Sequence, residues 1–132
     1  RLNGLKKFVI DTVMEANGKP CPPVIVGVAF GGFFDTVAKM AKKLLLRPIN
    51  EPNPVPELAK LEEELLKAIN ATGIGPMGLG GRWTALRVHV DYACRHPGAY
   101  PVAVAFQCWA ARRATARIYP DGSVEYITHE VG

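Results

Sequence analysis

The stretch CPPVIVGVAFGGFFDTVAKMAKKLL, residues 21–45, decides the fold. Val24 to Ala29 is a continuous apolar run with Pro22 and Pro23 before it and Gly31 and Gly32 after it, the pattern of a short strand covered on both faces. The two glycines permit a sharp turn. Val37, Met40, Ala41, Leu44 and Leu45 then recur at helical spacing opposite Lys39, Lys42 and Lys43, which predicts an amphipathic helix. Strand, turn and helix make a β-turn-α unit.

Working outward from that unit, Leu2, Leu5, Phe8, Val9 and Val13 recur every three or four residues and predict a helix over 2–16. Asn17 and Gly18 tolerate a left-handed cap, and Pro20 forbids continuation. On the other side, residues 47–56 carry four prolines and two asparagines and read as a loop. A third helix starts near Pro56, buries Leu58, Leu61, Leu65 and Ile69, carries Glu57 and Glu62 to Glu64 in its N-terminal half, and stops at Gly73. The segment GIGPMGLGG at 73–81 is too glycine-rich for regular structure. Beyond it, period-two alternation marks Leu86, Val88 and Val90, then Val102, Val104, Phe106 and Cys108, then Ala114, Ala116 and Ile118. Pro120, Asp121, Gly122 and Ser123 turn the chain back into Val124 to Ile127 as a hairpin partner. The expectation is one compact α/β domain over 1–132, a mixed sheet of about four or five strands with three helices.

Composition narrows the function classes. The 132 residues are 48% hydrophobic and 21% charged, enough for one buried core. The net charge of +4 comes from sixteen Lys and Arg spread along the chain rather than gathered into a basic block, so nucleic acid is not the favoured partner and a small anion suits the balance equally well. Cys21, Cys94 and Cys108 are an odd number with no CxxC pair, which argues against a disulfide framework or a zinc ribbon and for a reducing, cytoplasmic setting. No apolar run approaches eighteen residues, so no membrane span is expected. The chain opens at Arg1 inside a helical pattern and reads as a segment of a longer polypeptide.

Each candidate site has an ordinary reading beside the functional one. The glycine loop is either a flexible connection or an anion cradle built from free backbone amides, and it lacks the ending of a P-loop. Cys108 shares the parity of Val102, Val104 and Phe106, which suits a buried small apolar residue as well as a ligand. Cys21, between a helix end and a strand start, is equally filler or ligand. His96 sits in a turn-like stretch, either as a surface imidazole or as a group acting near neutral pH. Arg112 and Arg113 can clamp a carboxylate or simply charge a strand edge. His89 and His129 have no catalytic context.

Taken together, CPPVIVGVAFGG at 21–32, GIGPMGLGG at 73–81 and HPGAYPVAVAFQCWAARRA at 96–114, in this order and spacing, resemble the iron-sulfur subunit of class I fumarases and the related L-tartrate dehydratases. The resemblance covers nearly the whole chain and corresponds to the C-terminal half of that subunit. It implies a hydro-lyase that adds water to fumarate or removes it from malate, with L-tartrate dehydration as the alternative, and a non-catalytic assembly module as the reading outside enzymology. It implies a four-iron, four-sulfur (4Fe-4S) cluster on three cysteines with one iron left open as a Lewis acid. Cys21 and Cys108 match the second and third cysteines, the first would lie upstream of Arg1, and Cys94 is left structural. By the same resemblance His96 is placed near the substrate, Gln107, Gly80 and Gly81 border the cluster, and Arg112 and Arg113 contact substrate. The implied partners are the upstream half of the subunit, a second (beta) subunit and a small dicarboxylate. The chain alone is then expected to be inactive, to hold no complete cluster, and to expose an apolar interface able to drive self-association.

Overall fold

A computed structural model describes residues 2–111 and 114–128. The strand at the head of the quoted stretch becomes the middle of a sheet. β1 (Val24–Gly31) pairs in parallel with β2 (Ala85–Ala93) and antiparallel with β3 (Val102–Gln107), giving the mixed order β2-β1-β3. Because β1 is central, side chains on both of its faces are covered, which is what its unbroken apolar run required.

The even-numbered residues Val24, Val26 and Val28 face α1 (Leu2–Ala16) and α3 (Pro56–Asn70), where Leu5, Val9, Leu61, Leu65 and Ile69 complete the main core with Val88 and Val90 of β2. On the opposite face Ala29, with Ala103 and Ala105 of β3, packs against Val37, Ala41 and Leu44 of α2 (Phe34–Leu44). Small residues let α2 lie close. A Cβ on Gly27 would fall 2.3 Å from the Ala41 carbonyl oxygen, so only glycine fits beneath that helix. The molecule is thus a single compact α/β domain with helices on both faces of the sheet.

All three helices form where periodicity places them. The five strands, however, divide three and two: β4 (Ala116–Ile118) and β5 (Val124–Tyr126) pair antiparallel in a separate hairpin whose residues are all exposed. Short alternating stretches specify a strand but not the sheet it joins. Among the described residues, no helix is long and apolar enough to cross a membrane.

Candidate functional site

Strand directions sort the candidate residues to two ends of the sheet. The chain enters β1 through a strained turn: α1 gives way at Asn17 (φ 48°), and Cys21, just before a cis Pro22–Pro23 bond, also sits at positive φ (56°). A non-glycine residue in that region carries a cost of about 1–2 kcal/mol. The Cys21 thiol is exposed. β3 runs the other way, so Gln107 pairs with Ile25 near the start of β1 and Cys108 follows one residue later at the same end. Cys108 is also exposed, because β3 stops at Gln107 and the thiol leaves the sheet's alternation; the buried reading of this cysteine is corrected. Its sulfur accepts the Ala110 amide at 3.3 Å.

The glycine loop packs against this end. The Met77 amide donates to the Pro22 carbonyl at 2.8 Å, and a Cβ on Gly78 would meet Gly18 Cα at 2.7 Å, so two backbones touch where only glycine allows it. The loop's amides are, however, mostly committed. Gly75 donates to Thr84 Oγ1, Gly78 to Gly75, Leu79 to Pro76, and Gly80 to the Ile74 carbonyl at 2.8 Å. An anion cradle needs free amides, and most of this loop's amides, that of Gly80 included, are spent on its own turns, while Gly81 sits at φ 127°.

On the α2 side of the same end lies an open cleft of about 450 Å³, whose wall includes Pro23, Ile25, Arg47, Asn50, Gln107 and Cys108. Ile127 and Thr128, beyond β5, close one side. Arg47, just past α2, is held rigidly. Its Nε donates to His89 Nδ1 at 2.9 Å, and its Nη2 donates to Glu62 Oε1. Glu62 is a buried carboxylate of α3 that also accepts the amides of Val90 (2.9 Å) and Asn53 (3.1 Å), while Asn53 Nδ2 donates to the Val90 carbonyl. The outer edge of β2 is thereby satisfied by side chains instead of a further strand. Burial first, then the Arg47 and Arg87 charges, hold the His89 pKa down at about 4, so the imidazole stays neutral. With Nδ1 accepting, its proton sits on Nε2, which is buried without a partner among the described residues.

Cys94 and His96 stand at the far end, since β2 runs parallel to β1 and delivers them beyond Ala93, which pairs with Gly31. His96 is exposed, its Nδ1 accepting the Gly98 amide at 3.1 Å, and Arg95 ties the turn together through the His96, Pro97 and Ala99 carbonyls. The chain therefore brings Cys21, Cys108, Gln107 and the glycine loop to one end and does not bring His96 with them. Arg112, Arg113 and His129 lie outside the described residues. Periodicity missed Arg47, Asn53, Glu62 and His89, which look like loop, loop, solvated helix and strand filler; their grouping exists only once β2's edge is in place.

An α/β domain carrying two exposed cysteines and a cleft at one sheet end is the class these observations define. The chain matches the family Fumarate hydratase (Fumerase) over residues 1–117 and belongs to that family. It is 50% identical over 123 residues to a chain of Methanocaldococcus jannaschii provisionally named L(+)-tartrate dehydratase subunit alpha, covering 93% of this chain and 43% of that protein. It is 40% identical over 126 residues to the L(+)-tartrate dehydratase subunit alpha of Escherichia coli (strain K12), covering 96% of this chain and 42% of that one. The chain thus spans less than half the length of these relatives.

Proposed function

We propose that this chain is the cluster-bearing part of a hydro-lyase subunit acting on a four-carbon dicarboxylate. The observation that carries the reading is the placement of Cys21 and Cys108, both exposed, at one end of the sheet, where Cys108 lines an open cleft.

The donors fit an iron-sulfur cluster in kind. Both are thiols, and the Ala110 amide at Cys108 Sγ is the type of hydrogen bond that steadies a thiolate ligand. Among the described residues no group of three or more His, Cys, Asp or Glu converges on a metal position, so a third cysteine from elsewhere in the longer protein would complete the set. When bound, a cluster with one open iron supplies a Lewis acid for the departing or arriving hydroxyl. Gln107 presents a neutral amide to the cleft beside Cys108 and would orient substrate or cluster without adding charge. Arg112 and Arg113, shortly after Cys108 in sequence, are assigned to substrate carboxylates. His96, at the opposite end of the sheet from Cys108, is assigned to proton handling.

The relatives are named as alpha subunits, which supports a second, beta subunit as partner and as the source of the remaining acid-base groups. Three free thiols suit a reducing compartment, and the cytoplasm is the proposed location. The names of the relatives favour L-tartrate, whose loss of a hydroxyl from one carbon and a proton from the next leaves the enol of oxaloacetate; the family's own description favours fumarate.

The test is turnover of L-tartrate and of fumarate by the complete assembly, reconstituted anaerobically with iron and sulfide, with Cys108→Ser alongside. Turnover of either substrate that disappears in the variant supports the reading. Full cluster loading without turnover of either substrate discards it, and unchanged turnover by Cys108→Ser discards the ligand assignment.

A further inference from the structure

The same cleft holds a charged group that neither the cysteines nor the family reading uses. We propose that Arg47 is a carboxylate anchor of the cleft, fixed for that task by Glu62 and His89 and setting the preference for dicarboxylates over monocarboxylates. This rests on the dicarboxylate reading above and deepens it.

The geometry is that of an aimed guanidinium. The Arg47 side chain is 18% exposed, and two of its three nitrogens are occupied: Nε by His89 Nδ1 and Nη2 by Glu62. Nη1 has no hydrogen-bond partner among the described residues and is not among their buried unsatisfied atoms, so it is open to a ligand. The residue borders the cleft that Gln107 and Cys108 also border. A freely rotating surface arginine loses side-chain entropy when it grips a ligand; this one has already lost it.

The charges around Arg47 form a closed set of pairs. Two guanidiniums, Arg47 and Arg87, share the buried Glu62 carboxylate, with Arg87 Nη2 at 3.7 Å from Oε2. Glu62 is further drawn on by two backbone amides. Glu63, which meets Arg87 Nη1 at 2.7 Å, is 62% exposed and pairs on the solvent side. The neutral imidazole of His89 adds nothing. The two guanidiniums and the two carboxylates, Glu62 and Glu63, therefore balance, with Glu63 on the Arg87 side of the cluster and Glu62 the carboxylate paired to Arg47. Glu51 also borders the cleft and is exposed, so its carboxylate opposes an anion bound there and Arg47 must outweigh it at close range.

A four-carbon dicarboxylate can then place one carboxylate at Nη1 and direct its other end towards Cys108. Lysine cannot replace this grip, because an ammonium cannot hold His89, Glu62 and a ligand in one plane.

The experiment is a cycle of variant against ligand on the complete assembly, reading equilibrium binding by calorimetry. Succinate, an unreactive four-carbon dicarboxylate, is compared with its monomethyl ester in wild type, Arg47→Gln and Arg47→Lys, the lysine variant keeping a positive charge beside Glu62 should glutamine fail to fold. Wild type is expected to prefer succinate by about tenfold, the worth of one charge-assisted contact, and the preference is expected to collapse towards unity in the folded variants. A merely structural arginine would weaken both ligands alike and leave their ratio unchanged, and that result overturns the proposal. Absence of succinate binding by wild type overturns it as well. Collapse of the ratio in a protein with no hydro-lyase turnover would keep Arg47 and remove the proposed reaction; turnover with an unchanged ratio would do the reverse.

Discussion

At the scale of a residue, His89 shows how a buried network ties stability to pH. Its ordinary pKa of 6.5 is lowered to about 4, chiefly because burial penalises the charged ring and secondarily because Arg47 and Arg87 repel a further positive charge. Above pH 6.5 the ring is neutral in both folded and unfolded chains and contributes no pH dependence. As pH falls below 6.5 the unfolded chain takes up a proton that the folded chain refuses, so stability falls until about pH 4, where both forms are protonated. The full loss is about 3 kcal/mol by linkage. Urea unfolding from pH 7.5 to 3.5 should show this decline in wild type and a shallower one in His89→Gln, which has no imidazole to protonate. Parallel curves for the two proteins would mean that His89 titrates normally in the fold.

At the scale of an element, the seat of α2 on β1 depends on one missing methyl group. Gly27→Ala puts a Cβ 2.3 Å from the Ala41 carbonyl oxygen, backbone that cannot rotate away, so the helix must lift; destabilisation by about 1–3 kcal/mol is expected. Gly4→Ala, on α1 with nothing within 4 Å of the new Cβ, should stabilise by up to about 1 kcal/mol through helix propensity. Thermal unfolding of the two variants should move in opposite directions, and equal shifts would refute the packing account. These elements were legible because they obey local rules: apolar spacing fixed Leu2–Ala16 and Pro56–Asn70, and the bounded run of 24–29 announced a central strand. The sequence was less informative wherever a residue's role depends on a distant partner. Glu62 sits in a run of three glutamates and looks solvated, yet it is the one of the three that meets the open edge of β2, a neighbour 28 positions away at Val90. Cys108 kept strand parity on paper, while the strand itself ended at Gln107. The glycine loop advertised free amides, and tertiary closure used most of them.

At the scale of the whole molecule, the consequential feature is the polarity of the sheet. β1 is eight residues long, which at about 3.3 Å per residue separates its ends by roughly 26 Å. Cys94 lies beyond one end. Cys21 and Cys108 lie at the other: Cys21 is three residues ahead of β1, at most about 11 Å of extended chain from Val24, and Cys108 is one residue past the Ile25–Gln107 pair on the neighbouring strand, about 5 Å away across the ladder. All three thiols are exposed, so each can be alkylated without unfolding the chain. A bis-maleimide spanning about 15 Å, a length chosen to fall between these two separations, should therefore join Cys21 to Cys108 in dilute folded chain and leave Cys94 with a singly attached reagent. Peptide mapping after digestion reads the outcome directly. A Cys94–Cys108 or Cys94–Cys21 bridge within one chain would reverse the assigned strand directions, and with them the placement of Cys21 at the same end of the sheet as the cleft lined by Cys108, Gln107 and Arg47. The bridge to Cys108 in high yield, with Cys94 excluded, would instead put Cys21 and Cys108 within one reagent length of each other at the same end of the sheet, the arrangement that the proposed two-cysteine site requires.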